Sequence, residues 1–310
     1  MKVLVLGGCG FIGSHITDAL LEGGHHVHIF SRAPESTRAS LCTVEYHIGD
    51  FSDQGAVDKA LEGIDVVIHA ISTTVPGTSN NDPANDIRGN LISTVQLLEL
   101  MRKRDIRRMV YLSSGGTVYG NPERCPVPED APLHPISSYG VVKVAIENYL
   151  FMYQSLYGIQ PTIIRPSNPY GPRQGQTGMQ GVITSFLRDI LGSKPLTIWG
   201  DGTVVRDFVD VRDVASLCAM AVSKPVSGVF NAGSGEGHSI KEIVDILALV
   251  TGINPECNFH EGRGFDVRKV VLDVRKSQAV FDWQPCIPLE QGIREYWAWM
   301  RSGLDKGHLK

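Results

Sequence analysis

Short runs of β-branched and apolar residues recur along the first half of the chain, at residues 2–6 (Lys-Val-Leu-Val-Leu), 26–30, 44–48, 65–69 (Asp-Val-Val-Ile-His) and 109–113. Between them lie longer stretches, at 12–23, 53–62 and 86–103, whose apolar positions recur with helical spacing. Strand alternating with helix predicts a parallel sheet buried on both faces, a doubly wound α/β fold of Rossmann type. Residues 135–151 predict a long helix with Ser137 or Ser138 as N-cap, followed by a strand at Thr162-Ile-Ile-Arg165. After Asn168-Pro-Tyr-Gly-Pro172 the pattern changes to Gly-rich loops, a helix near 181–191 and scattered short elements. The main boundary is therefore placed near residue 170. Residues 1–169 form the Rossmann domain and 170–310 a smaller C-terminal α/β domain, with part of 205–235 expected to return to the larger sheet. No repeat or flexible linker separates the two, so they are expected to pack together around a cleft.

Composition narrows the reading. The chain has 310 residues, 42% of them apolar, enough for one large domain and a smaller one. A net charge of −4 with dispersed basic residues argues against a nucleic-acid partner, which needs a basic stripe. The opening Met-Lys-Val-Leu-Val-Leu-Gly-Gly is too short for a signal-peptide core or a membrane span, so a cytoplasmic location without a membrane partner is expected. Cys9, Cys42, Cys125, Cys218, Cys257 and Cys286 show no CxxC or Cys/His spacing; free thiols and no metal site are expected. His25, His26 and His28 gather at the entry to the second strand, where alternation sends neighbours to opposite faces, and they read as strand-edge residues.

Candidate chemistry begins at Gly7-Gly-Cys-Gly10-Phe11-Ile12-Gly13, a GxxGxxG loop at the first strand–helix junction. There the helix's N-terminal amides can meet a pyrophosphate without a side-chain clash. The residue that selects the adenosine ribose is usually acidic and stands at the end of the second strand. Here that place reads Phe30-Ser31-Arg32. A serine and an arginine could hold a 2′-phosphate, so NADP(H) is expected to be tolerated or preferred; alternatively, Arg32 is a solvated loop residue.

Tyr139 and Lys143 are four apart on the long predicted helix and so project from one face. An ammonium beside a phenol, together with a positively charged nicotinamide, is expected to lower the phenol's pKa and make Tyr139 a usable base.

Taken in order, the glycine loop, Asp50-Phe51, Asn90, Ser113-Ser-Gly-Gly-Thr-Val-Tyr-Gly120 and Tyr139-Gly-Val-Val-Lys143 resemble the extended short-chain dehydrogenase/reductase family, in its NAD-dependent epimerase/dehydratase group. Arg165-Pro-Ser-Asn168-Pro-Tyr-Gly-Pro and Gly200-Asp-Gly-Thr-Val-Val-Arg206-Asp-Phe extend the resemblance over nearly the whole chain. It is most similar to the UDP-glucose 4-epimerase branch. The resemblance implies NAD as cofactor, with Asp50 and Phe51 flanking the adenine, Ala70, Ser113 and Pro166 along the cofactor, and Asn90 in the framework near the active site. It implies that Asn168, Val182, Arg206, Arg263 and Asp266 hold the nucleotide of a UDP-linked sugar, the arginines as forked donors to its diphosphate. It further implies a homodimer, through helices at about 90–104 and 139–157. Leu150 and Phe151 would serve that interface or the core.

Three positions depart from the family pattern. The third hydroxyl residue of the Ser-Ser-Ser or Ser-Ser-Thr motif is replaced by Gly115, leaving Ser114 or Thr117, with Thr117 favoured, or a water, to share the proton relay with Tyr139. Val270, three residues before Asp273, stands at the position that gates the sugar's 2-substituent and is expected to leave room for N-acetylated sugars. Gly181 replaces a common asparagine near the pyrophosphate.

The expected activity is 4-epimerisation of a UDP-hexose or UDP-N-acetylhexosamine, with Tyr139 as base. The alternatives are an NADPH-dependent keto-sugar reductase, which needs the same tyrosine and lysine, and a non-catalytic cofactor-binding protein. A 4,6-dehydratase is disfavoured, because Gly115-Gly-Thr117 lacks the acidic pair that such chemistry uses.

Overall fold

The computed structural model describes residues 1–36, 38–175, 181–262 and 267–305. β1 (Lys2–Leu6) is apolar beyond its first residue because both its faces are covered: Val3 and Val5 enter one core, Leu4 and Leu6 another. α1 (Phe11–Glu22), β2 (His26–Ser31), β3 (Glu45–Ile48), α2 (Gln54–Ala60) and β4 (Val66–His69) follow. The helix read from the sequence over 86–103 proves to be three pieces: α3 (Pro83–Asp86), a π-helical stretch (Ile87–Ile92) and α4 (Ser93–Lys103). The wider turn changes the side-chain register. It turns Asn90 inward, where Nδ2 donates to Asp86 Oδ1 at 2.8 Å and Oδ1 accepts the Thr73 N–H at 2.8 Å.

β5 (Arg108–Leu112), α5 (Ser138–Tyr157) and β6 (Gln160–Pro166) complete this stretch. Ser137 is the N-cap of α5, its Oγ accepting the Gly140 N–H at 3.2 Å, while Ser138 Oγ donates to Asp86 Oδ2 at 2.7 Å. Beyond it come β7 (Asn168–Tyr170), α6 (Val182–Leu191), β8 (Leu196–Trp199), β9 (Val205–Arg206) and β10 (Phe208–Asp210). Then follow α7 (Val211–Ser223), β11 (Gly228–Ala232), β12 (His238–Ser239) and α8 (Ile240–Thr251). β13 (Cys257–His260), β14 (Lys269–Val270), α9 (Arg275–Phe281) and α10 (Leu289–Asp305) end the described chain.

Seven parallel strands form the main sheet in the order β11, β6, β5, β4, β1, β2, β3. The order reverses between β4 and β1, and in such sheets ligands bind at that switch point, beyond the carboxyl ends of the strands. One face is covered by α1 and α7, with Leu217, Cys218 and Ala221 packed near Ile16 and Leu20; the other by α2, α4 and α5. The chain leaves this sheet after β6, returns through α7 and β11, and returns again to bury Phe281 and Trp283. A third core joins α6, α8 and α10 over β8, with Phe186, Leu187, Ile243, Leu247 and Tyr296 buried. Leu150 is fully buried and belongs to the sheet's core, whereas Phe151 is 39% exposed. Burying one such leucine stabilises by roughly 1.5–3 kcal/mol. All six cysteines are free thiols, and among the described residues no helix is long and apolar enough to cross a membrane.

Candidate active site

Two cavities frame the candidate site, the first at the carboxyl ends of the main sheet. The first, of about 360 Å³, is lined by Gly7, Gly10, Ser31, Arg32, Asp50, Phe51 and Ala70, together with Ser72 and Thr73. Its floor is the glycine loop. Gly7 has φ +86°, and a Cβ on Gly13 would lie 2.1 Å from the Gly7 carbonyl oxygen, so only glycine closes this turn. Gly10 is the N-cap of α1 and brings no side chain to cap it, which leaves the first-turn amides at Phe11, Ile12 and Gly13 facing outward for an anion. That donor set, with Asp50 on the far wall, fits the pyrophosphate and ribose of a dinucleotide. Ser31 Oγ accepts the Cys9 N–H at 3.1 Å, so this serine braces the loop. Arg32 is exposed at the rim, near Asp50. Two hydrogen bonds from Ser52 hold the Asp50 carboxyl below its usual range, and Arg32 adds to the effect.

Above this cleft stands the first turn of α5. The Tyr139 N–H donates to Ser79 Oγ at 3.1 Å and the Ser138 N–H to Asn80 Oδ1 at 2.8 Å, which pins the helix start to the segment before α3. Lys143 is buried one turn along. Its Nζ donates to the Leu112 carbonyl at 2.8 Å and lies 5.5 Å from the centre of the Tyr139 ring. Burial pulls the Lys143 ammonium down to about 8. Burial also pushes the Tyr139 phenol up to about 12, and the hydroxyls of Ser72 and Ser114 draw it back. The Lys143 ammonium meets a main-chain carbonyl and the Tyr139 ring, and the expected lowering of the phenol depends on the positively charged nicotinamide as well.

The choice between Ser114 and Thr117 is corrected. Ser114 is the neighbour of the phenol, while Thr117 Oγ1 points back to the Ser114 carbonyl at 3.5 Å. Ser72, on the loop after β4, is the second hydroxyl, and the sequence reading missed it. Ser113 turns the other way. Its Oγ donates to Glu147 Oε1 at 2.5 Å, and Glu147 in turn receives Arg165 through two bonds at 3.0 and 2.6 Å. Asn90 is occupied with Asp86 and Thr73, so it shapes the wall rather than offering its amide to a ligand. Pro166 is buried, its carbonyl accepting the Gly115 N–H at 2.7 Å.

The second cavity, of about 280 Å³, is lined by Asn168, Val182, Arg206 and Trp199. Gly181 and Val182 begin α6 here, again without a side-chain cap. Gly181 has φ +79°, a backbone conformation that glycine takes most easily. Asn168 is fixed by its Nδ2, which donates to the Asp207 carbonyl at 2.9 Å. Asp207 is itself buried and gathers Ser167 Oγ and the Ser234 and Leu272 N–H groups, holding the chain on either side of Arg206. Trp199, at the end of β8, presents a ring to this cavity beside His260, 5.2 Å away; only its position before Gly200-Asp-Gly could have drawn attention to it.

Val270 does not line either cavity. It is 1% exposed and packs with Val118, Tyr119, Val127 and Leu272 in a small separate core, because β14 pairs with β9 and turns that side chain inward. The expected extra room for a 2-substituent loses its basis. Arg263 and Asp266 lie outside the described residues.

The Ser113–Thr117 turn lies near residues of both cavities: Ser72, beside the phenol, lines the first, and Gly116 lies against Asn168 of the second.

Residues 3–233 match the family described as the NAD dependent epimerase/dehydratase family. The chain is 37% identical, over 97% of its length and 98% of the relative's, to a putative UDP-glucose 4-epimerase of Methanocaldococcus jannaschii. Its structure resembles that of the Thermotoga maritima UDP-glucose 4-epimerase with UDP-glucose at a TM-score of 0.94 and 32% identity, covering 98% of this chain and 100% of that one. It also resembles the Thermus thermophilus UDP-glucose 4-epimerase complex with NAD at a TM-score of 0.91 and 34% identity, covering 97% and 99%.

Proposed function

The chain belongs to the NAD dependent epimerase/dehydratase family, and on that premise we propose that it is a 4-epimerase of a UDP-linked hexose, with NAD in the first cavity. The observation that carries this reading is the meeting of Tyr139 with Ser114 and with Ser72, which lines the first cavity. Held by the glycine loop and Asp50 in the first cavity, NAD would supply reversible hydride chemistry, which leaves the overall reaction redox-neutral. The protein's part is proton transfer and holding. Tyr139 takes the proton of the sugar's 4-hydroxyl, Ser114 and Ser72 hydrogen-bond the phenol as its charge changes, and Lys143 stabilises the ionised form. Substrate affinity rests on the nucleotide, met by Arg206, Asn168 and the open start of α6, so that the sugar stays loosely held and can present either face.

In this proposal residues 1–169, completed by α7 and β11, carry the dinucleotide, and most of 170–310 carries the sugar nucleotide. Ile92 on the π-helical stretch, with Tyr149, Met152 and Leu156 on α5, leaves apolar surface exposed, Leu156 by 63%. Tyr149, Met152 and Leu156 fall at helical spacing on one face, which suits a second copy of this chain. The six free thiols suit a reducing compartment such as the cytoplasm.

A panel of UDP-glucose, UDP-galactose, UDP-N-acetylglucosamine and UDP-N-acetylgalactosamine, incubated with the holoenzyme, tests the reading. Interconversion within one epimeric pair without net cofactor consumption is expected. Stoichiometric use of NADPH, or no turnover of any pair, overturns it.

A further inference from the structure

β2 and β3 run parallel at the edge of the main sheet, with His28 beside Glu45 and Phe30 beside His47. Side chains two apart on a strand share a face, so Glu45 and His47 point the same way and the register brings His28 to them. His28 Nδ1 lies 3.5 Å from one Glu45 carboxylate oxygen, and His47 Nε2 lies 3.4 Å from the other. The two ring nitrogens are 3.5 Å apart, and the imidazoles stack with centroids separated by 5.8 Å.

These separations have a chemical meaning. Zn²⁺ binds imidazole nitrogen at about 2.0–2.1 Å and carboxylate oxygen at about 2.0–2.2 Å, which puts two ligands on a tetrahedral centre roughly 3.4 Å apart. We propose that His28, Glu45 and His47 form a binding site for one borderline transition-metal dication, Zn²⁺ or Co²⁺ in chemical class, with a water in the fourth position. Paired imidazoles select such ions over Mg²⁺ or Ca²⁺, which prefer all-oxygen shells.

The surroundings support the geometry. Both imidazole side chains are largely enclosed, at 14% and 19% exposure, while Glu45 reaches solvent at 62%, so an ion has a route in. Lys2 also acts on His28, and its charge opposes a cation. The site is separate from Tyr139 and Lys143 and takes no part in their chemistry. Its place in the fold still matters: two residues beyond His28 the strand reaches Phe30, and two beyond His47 the chain reaches Gly49, both in the wall of the first cavity. A bridging ion ties those two walls together.

Tag-free, chelator-treated full-length protein titrated with ZnCl₂ by calorimetry tests the proposal, with Co²⁺ as a spectroscopic probe. One ion per chain is expected, with a Co²⁺ visible spectrum of nitrogen and oxygen ligation. Affinity is expected to fall more than about 100-fold in His47→Ala, above what losing an outer hydrogen-bond partner costs. Glu45→Gln, at an exposed side chain, keeps the fold and is expected to weaken binding in the same direction. Absence of saturable binding overturns the proposal. So does an affinity left unchanged in both His47→Ala and Glu45→Gln, which assigns the ion to exposed thiols such as Cys42, Cys125 or Cys286.

Discussion

Leu272 occupies the space that a side chain at Gly115 would need: a Cβ built on Gly115 would lie 2.5 Å from Leu272 Cδ1 and 3.0 Å from the Arg165 carbonyl oxygen. The missing third hydroxyl of the active-site strand is thus matched by a leucine fully buried against it. Gly115→Ser is expected to destabilise the protein by about 1–3 kcal/mol through overpacking. Leu272→Ala alone is expected to cost roughly 2–5 kcal/mol. In the double variant the serine enters the vacated space, so the two losses should sum to more than the measured total. Denaturant unfolding of the four proteins reads this coupling; simple additivity would mean that the two positions do not share that space.

Ser114, rather than Thr117, touches the phenol. Ser114→Ala is expected to lower kcat by about 10²-fold, on the order of one positioned acid–base partner. Thr117→Val should change it less than about 5-fold, since the hydroxyl it removes bonds only within its own turn. Steady-state turnover of both variants decides between them.

Lys143 titrates near 8 when buried, well below its ordinary value, so its charge is lost as pH rises through that point. The free enzyme's kcat/KM is accordingly expected to fall above about pH 8. In Lys143→Arg the guanidinium stays charged throughout this range, so whatever activity remains should lack that alkaline limb. The same shift has a stability sign. Between about 8 and the unfolded value the unfolded chain binds more protons than the folded one, so this group adds stability as pH rises there and adds none below it. Profiles measured from neutral pH upward check both statements.

Arg206 lines the second cavity and not the first. Arg206→Ala is expected to raise KM for the UDP-sugar by about 10–100-fold with a smaller change in kcat, the pattern of lost binding to the non-reacting part of the substrate. An equal fall in kcat with KM unchanged would place Arg206 in the chemical step instead.

Local features were legible in the sequence because their geometry is local. The glycine spacing at Gly7, Gly10 and Gly13 and the four-residue step from Tyr139 to Lys143 depend only on a strand–helix junction and on helical periodicity. The apolar runs of β1 and β4 likewise announced a sheet buried on both faces. What the sequence hid depends on tertiary placement. Ser72 reaches Tyr139 only because the strand order sets β4 beside β5 and the segment around α3 holds the start of α5. Leu272 meets Gly115 from a distant part of the chain. Val270 was expected to face the sugar, but a strand of two residues has no alternation long enough to reveal which face is buried, and pairing with β9 turned it inward. The π-helical stretch carries no simple periodic signal, so Asn90's inward turn could not be foreseen from spacing.

The most direct measurement of the central claim uses UDP-glucose carrying deuterium at C4, incubated with the NAD-loaded enzyme and with its Tyr139→Phe variant. UDP-galactose that retains the deuterium at C4, no net formation of reduced nicotinamide, and a loss of at least about 10²-fold in Tyr139→Phe are the expected results. Product with the deuterium exchanged for solvent hydrogen, or undiminished turnover in Tyr139→Phe, would contradict a 4-epimerase that works through hydride transfer at this tyrosine.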